Sequence, residues 1–153
     1  MPFVKVYIHI VWSTKKRVPF LNSKNLRIKV WKHIKQNANE KGIFIDVVNG
    51  YSDHCHCLIS LSINQTIEKV VQLIKGESSF WINKNNLTEE KFAWQDEYFA
   101  VSVSESMIEK VRNYIINQEK HHLTKVFQRN MKSLFQNIIS TQMKNKFWLK
   151  PIR

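Results

Sequence analysis

Apolar and polar positions alternate at the start of the chain. Over residues 3–12, Val4, Val6, Ile8, Ile10 and Trp12 fall on one side, and Lys5, Tyr7 and His9 share the other with Val11. That period of two predicts a half-buried strand. Over residues 22–41 the period changes: Leu26, Val30, Ile34 and Ala38 recur every four, with Lys and Arg outside, which predicts an amphipathic helix. Asn22 or Ser23 can cap its start, and Gly42 stands where a C-terminal cap belongs. Ile43 to Val48 reads as a strand, and Asn49-Gly50 as a hairpin turn into a further strand over 50–61. A second helix is expected over 65–84, with a buried stripe of Ile67, Val70, Val71 and Ile74 continued by Phe80 and Trp81. Residues 92–103 read as a strand bent near Gln95–Glu97. After Ser104 a third helix is expected to reach His122, with Met107, Ile108, Val111, Ile115 and His122 as its stripe; a weaker helical pattern covers 126–146.

Strand, helix, strand, strand, helix, strand is the order of an α+β, ferredoxin-like (RRM-like) sheet, βαββαβ and antiparallel, with both helices on one face. The C-terminal helix that follows carries Tyr114. In that topology the first and third strands are central neighbours. A chain of 153 residues fits one domain with a true core, here expected over about 3–125 with a basic helical tail over about 126–153.

The stretch Asp53-His54-Cys55-His56-Cys57 then gains meaning. Alternation puts His54 and His56 on one face of a strand and Cys57, Ile59 and Leu61 on the other. Two imidazoles about 6–7 Å apart on a rigid strand can close on one metal ion; a hydrogen-bonded pair with no ligand is the plainer alternative. The same alternation argues against a zinc site built from all four His and Cys, so the cysteines are expected to be small buried hydrophobes. His9 faces away from the first strand's apolar side and approaches the histidine face if the two strands are neighbours; a surface histidine is the simpler expectation. On the third helix, Tyr114 and Gln118 are four apart, about 40° around the axis, so hydroxyl and amide reach toward one point.

Charge narrows the partners. Lys and Arg number 24 against 12 Asp and Glu, a net charge of +12, which attracts polyanions. From Lys120 to Arg153 there are eight basic residues and no acid, interleaved with Phe127, Phe135, Phe147 and Trp148. That mixture suits single-stranded nucleic acid, whose bases stack while its phosphates are neutralised; a basic helix on an anionic membrane ranks lower. Lys15, Lys16 and Arg17 form a basic loop able to grip phosphate, and Arg112 and Lys120 flank the tyrosine. No apolar run approaches membrane-spanning length, no signal-peptide pattern opens the chain, and two cysteines on one strand give no disulfide framework. A cytoplasmic protein without a membrane partner is expected. There is no Gly-rich phosphate loop and no G-x-S-x-G elbow, so no nucleotide cofactor and no serine hydrolysis is expected. A tyrosine nucleophile remains. Its phenol, with a pKa near 10, needs a target made electrophilic, which a divalent metal on a phosphate oxygen supplies. Two imidazoles, an amide oxygen and phosphate oxygens suit Mg²⁺ or Mn²⁺, with the imidazoles favouring Mn²⁺.

His54-Cys55-His56 before an apolar strand, with Tyr114 and Gln118 on a later helix, resembles the single-tyrosine HUH transposases of small bacterial insertion sequences. So do His9-Ile10-Val11-Trp12-Ser13-Thr14-Lys15-Lys16-Arg17 with Pro19, Lys75-Gly76-Glu77-Ser78-Ser79 with Trp81-Ile82-Asn83, Ala100 to Ser104, and Tyr114 to Gln118 leading to His121-His122. The pieces span about residues 3–128. The resemblance implies a DNA transposase that cuts and rejoins single-stranded DNA at insertion-sequence ends, recognises hairpins near those ends, and works through a 5′-phosphotyrosine intermediate. It implies Tyr114 as nucleophile and His54, His56 and Gln118 as metal ligands. Apart from the resemblance, His121 and His122 are alternatives for completing the metal site, with Gln118 favoured by its spacing of four from Tyr114. It also implies a nucleoid-associated homodimer whose tyrosine helix can serve the partner's histidine pair. Ser52 stands where the family has Pro, and Cys55 where it has a bulky aliphatic residue, which places an oxidisable thiol inside the motif. A domesticated palindrome-binding relative, or a non-catalytic single-stranded nucleic-acid-binding module on the same sheet, is the alternative.

Overall fold

Four strands, β1 (Tyr7–Ser13), β2 (Phe44–Tyr51), β3 (His54–Ser60) and β4 (Phe99–Val103), form one antiparallel sheet in the order β2-β3-β1-β4. The structure, a computed structural model, describes residues 2–122, the side chains of 121 and 122 excepted. The chain divides into two units, Met1–Ile116 and Asn117–Arg153. The helical pattern expected over 126–146 lies outside the described residues, as do the side chains of His121 and His122. The helices are α1 (Lys24–Glu40), α2 (Ile67–Lys84), α3 (Ile108–Ile116) and α4 (Gln118–His122). The architecture is the expected βαββαβ sheet, with β1 and β3 at its centre.

Directly paired residues of antiparallel strands share a face. The β1–β3 pairs Ile8↔Ile59, Ile10↔Cys57 and Trp12↔Cys55 therefore make one apolar face. It packs beneath α1 and α2 as the main core, with Val30, Ile34, Val71 and Ile74 buried. Trp94 meets Trp12 edge-on at 5.8 Å and donates its Nε1–H to Ser78 Oγ of α2 at 2.8 Å. Each large apolar side chain removed from water here contributes about 1.5–3 kcal/mol. Cys55 and Cys57 are fully buried in this face, as their small apolar character suggests, and burial pushes the Cys55 thiol pKa up. A protonated, inaccessible thiol is a poor target for oxidation, so the redox sensitivity suggested by its position in the motif has no structural support.

The other face carries His9, Val11, Ser13, His54, His56 and Leu58, and α3 covers it. Two contacts seat that helix. Asn49 of β2, the cross-strand partner of His56, donates its amide to the carbonyls of Ile115 at 2.9 Å and Ile116 at 3.0 Å. A slip in the β2–β3 register between Ile45 and Val47 leaves Asp46 as an extra residue. Its carboxylate accepts both Nε–H and Nη2–H of Arg112, at 2.9 and 2.7 Å.

Several expectations are corrected. The Asn49-Gly50 pair is not a turn: both residues lie within β2, and the chain reverses at Ser52 and Asp53. Turn propensity loses here to two tertiary demands, the Asn49 amide on α3 and the close approach of β3 at Gly50. β1 begins at Tyr7, not Phe3, and Phe3, Val4 and Val6 are exposed. The strand expected over 92–103 survives only as β4 plus a single bridge from Trp94 to Thr14. Between them Lys75 donates its ammonium to the carbonyls of Gln95, Asp96 and Glu97, which turns the chain off the sheet. Arg27, read as an outer residue of α1, is buried with Nη1–H bonded to the carbonyls of Leu21 and Asn22. On α2 the inward stripe continues through Ser78 and Ile82, while Phe80 is exposed. Met107 is exposed as well. The third helix is interrupted: α3 ends at Ile116 and Gln118 opens α4.

A Cβ at Gly50 would lie 2.1 Å from the His54 carbonyl oxygen. Gly50→Ala is expected to cost roughly 1–3 kcal/mol in urea unfolding, as overpacking against backbone does. Asn49→Ala is expected to cost about 1–2 kcal/mol. Hydrogen exchange should then rise selectively at α3 amides, with β1 and β3 amides following the global stability.

Candidate active site

The site lies on the α3 face of the central strands. His54 and His56 point to that face, as the alternation predicts, with ring centroids 5.2 Å apart. Both are buried, at 3 and 0 % exposure. Tyr114, in the last turn of α3, sits edge-on above them, its ring 5.9 Å from that of His56 and 6.5 Å from that of His9. The phenol and the imidazoles meet within a single chain.

His9 is the main residue that pattern reading misplaced. It is 1 % exposed, not a surface histidine, because α3 makes a second buried layer over its face. Its Nε2 is 2.9 Å from His56 Nδ1, with the two rings tilted by 31°. Burial pushes its pKa down to about 3, so it is a neutral imidazole at ordinary pH.

Asp53, at the β2–β3 turn, is the second addition. Its Oδ1 accepts from His54 Nδ1 at 2.9 Å, and its Oδ2 lies 3.3 Å from Arg17 Nε. A carboxylate only accepts, so this bond fixes the Nδ1–H form of a neutral His54 and leaves Nε2 with its lone pair. An acid immediately before a histidine pair is the sequence signal that could have revealed this. The Asp53 carbonyl also accepts from the Thr14 amide at 2.8 Å, tying the basic loop to the histidine strand.

That loop, Lys15–Arg17, is a single 3-10 turn with Lys16 and Arg17 both at φ 55. Two successive non-glycine residues in the left-handed region store backbone strain. The surroundings enforce it: Lys15 N–H donates to Ala93 O at 2.9 Å and Thr14 Oγ1–H to Val18 O at 2.7 Å. Lys15 and Lys16 project to solvent, whereas Arg17 turns inward to Asp53. Of the basic residues expected to meet DNA, Arg17 and Arg112 thus have acidic partners within the fold. Lys120 lies in α4 and is exposed. Gln118 is the first residue of α4, in the second unit.

The donor set suits a hard divalent cation held in part by oxygen. Among the described residues, no group of three or more His, Cys, Asp or Glu is placed to hold an ion. Two imidazoles alone leave most of a coordination sphere to amide, water or phosphate oxygens, which is Mg²⁺ or Mn²⁺ chemistry more than that of a closed zinc cage. Also among the described residues, no helix is long and apolar enough to cross a membrane.

Comparison with known proteins gives a consistent result. No curated protein matches the chain. Solved structures share its fold, the following two among them. A candidate transposase from Deinococcus radiodurans R1 superposes with a TM-score of 0.62 at 21% identity, covering 76% of this chain and 93% of the other. A REP-associated tyrosine transposase bound to a REP hairpin superposes with a TM-score of 0.58 at 16% identity, covering 82% of this chain and 74% of the other. The family model described as IS200-like transposase matches residues 3–118, a span that includes β1 with His9, the histidine strand and Tyr114. The chain therefore belongs to the IS200-like transposase family.

Proposed function

We propose that this protein is a DNA strand transferase that cuts and rejoins single-stranded DNA through a covalent tyrosine link. The observation that carries the reading is the Tyr114 ring 5.9 Å from His56, on the sheet face that also holds His54. In the proposed step the Tyr114 oxygen attacks a backbone phosphorus. The bond to the 3′ oxygen breaks, the phenolic proton is lost, and the departing 3′ oxygen gains a proton as a free hydroxyl. The phosphate stays on the tyrosine as a 5′ ester. Reversal with another 3′-hydroxyl rejoins the strand, so the bond energy is conserved and no nucleotide cofactor is needed.

His54 and His56 would hold the divalent cation, with the Gln118 amide oxygen added by resemblance to the family motif. Bound there, Mg²⁺ or Mn²⁺ would offset the charge that builds on the phosphate during attack. Tyr114 is positioned by Asn49 and Arg112, which hold α3 over the sheet, so attack needs no large search for geometry. The exposed Lys15 and Lys16 would neutralise backbone phosphates beside the site, and Lys120 and the basic tail would extend that contact.

Hairpins near element ends are the proposed substrate, supported by the REP hairpin bound to the similar solved structure. A relative that handles dispersed palindromes would use the same chemistry. The reading includes one catalytic domain with a basic tail, a homodimer, and action in the cytoplasm at the nucleoid. Within one chain Tyr114 already meets His56, so catalysis in cis is the arrangement proposed, and exchange of helices between protomers is not required.

With single-stranded hairpin DNA and Mn²⁺, the protein is expected to form an adduct that survives denaturation. Tyr114→Phe keeps the ring, so stability should change by less than about 1 kcal/mol and hairpin binding should persist while the adduct disappears. Hairpin binding with no adduct from the unaltered protein would favour the non-catalytic binding module. His56→Ala, or a chelator with the unaltered protein, should slow adduct formation by at least about 1000-fold, near 4 kcal/mol of barrier. Re-addition of Mn²⁺ should restore only the chelated protein.

A further inference from the structure

The two imidazoles of the histidine strand are held in the same way at the same nitrogen, by different partners. His54 Nδ1 meets the Asp53 carboxylate at 2.9 Å. His56 Nδ1 meets His9 Nε2 at the same distance, 2.9 Å. His9 reaches it from β1, where its neighbour Val11 is the direct partner of His56, so the contact is a diagonal across two paired central strands. Both members are almost wholly buried, at 1 and 0 % exposure, and neither can reorient without disturbing the sheet or α3.

We propose that His9 is a positioning residue for cation binding. Its Nε2 accepts the Nδ1–H of His56, which leaves His56 Nε2 as the donor nitrogen, matching the nitrogen that Asp53 leaves on His54. This rests on the reading of His54 and His56 as metal ligands. Between two neutral imidazoles one ring gives a proton and the other accepts it, and the direction decides the chemistry. Were His9 the donor, His56 would carry its proton on Nε2 and could not ligate through it. With His9 as acceptor, both motif histidines present equivalent nitrogens. Metal-binding histidines generally donate their second N–H to an outer partner, and loss of such a partner costs about 10–100-fold in metal affinity. Asp53 fills that place for His54, and His9 fills it for His56.

Two measurements test this on the full-length protein. In the first, long-range ¹⁵N–¹H NMR on the unaltered, metal-free protein reads the tautomer of His56. A protonated Nδ1 with a bare Nε2 is expected; a protonated Nε2 overturns the proposal. In the second, Mn²⁺ affinity is read by electron paramagnetic resonance for the unaltered protein, His9→Leu and His9→Gln. His9→Leu, which removes the acceptor, should bind Mn²⁺ about 10–100-fold more weakly. His9→Gln, whose amide oxygen can stand near the place of Nε2, should recover most of that loss. Equal affinity of His9→Leu and the unaltered protein overturns the role of His9 alone, and so does a His9→Gln as weak as His9→Leu. Failure of the unaltered protein to bind Mn²⁺ overturns the metal reading itself and this role with it. Should His9→Leu not fold, the tautomer measurement decides.

Discussion

The antiparallel register of β1 against β3 is the constraint on which the rest depends. It sets Val11 opposite His56 and Trp12 opposite Cys55, and so divides the central strands into an apolar face and a histidine face. A slip of one residue would exchange the faces, setting imidazoles under α1 and α2 and moving Trp12 and the cysteines to the side of α3. The apolar face guards against that, because Ile8, Ile10, Trp12, Cys57 and Ile59 are all buried in it and a one-residue slip would set histidines in their place. The chemistry on one side is thus held in place by packing on the other.

The histidine face is buried too, and polar groups in such a place need partners. Here those partners also orient the site. Asp53 and His9 engage the two motif imidazoles, and Asp53 reaches on to Arg17 and, through its carbonyl, to Thr14. The basic loop and the histidine pair therefore belong to one hydrogen-bonded frame. Asn49 joins the third part, because it pairs with His56 across the strands and holds the end of the tyrosine helix. The carbonyls it takes, of Ile115 and Ile116, are those a continuous helix would direct to residues 119 and 120. Asn49 thus takes hold of α3 at its last two residues.

Much of this was legible in the chain itself. Alternation located β1 and the histidine strand, and the order of elements gave the sheet topology and the central place of β1 and β3. Capping by Ser23 and the left-handed Gly42, at φ 76, bound α1 as the local pattern suggests. What was not legible depended on contacts distant in sequence. Asn49-Gly50 has the local chemistry of a turn, and only the packing of α3 and the approach of His54 keep it in a strand. His9 looks like a solvent-facing residue until a helix nearly a hundred residues later covers it. The third helix reads as continuous to His122, yet α3 ends at Ile116 and α4 opens at Gln118. Arg17 and Arg112 look like free cations, and their acids, Asp53 and Asp46, are distant in sequence.

The central claim is that the Tyr114 oxygen forms the covalent link to DNA. Trypsin acting after Arg112 and Lys120 releases the segment 113–120, Asn-Tyr-Ile-Ile-Asn-Gln-Glu-Lys, in which Tyr114 is the one hydroxyl-bearing side chain. Mass spectrometry of a nuclease-trimmed adduct should find a nucleotide joined through its 5′ phosphate to that segment, with fragment ions placing it on Tyr114. A nucleotide on any other segment, or attached through a 3′ phosphate, would contradict the account.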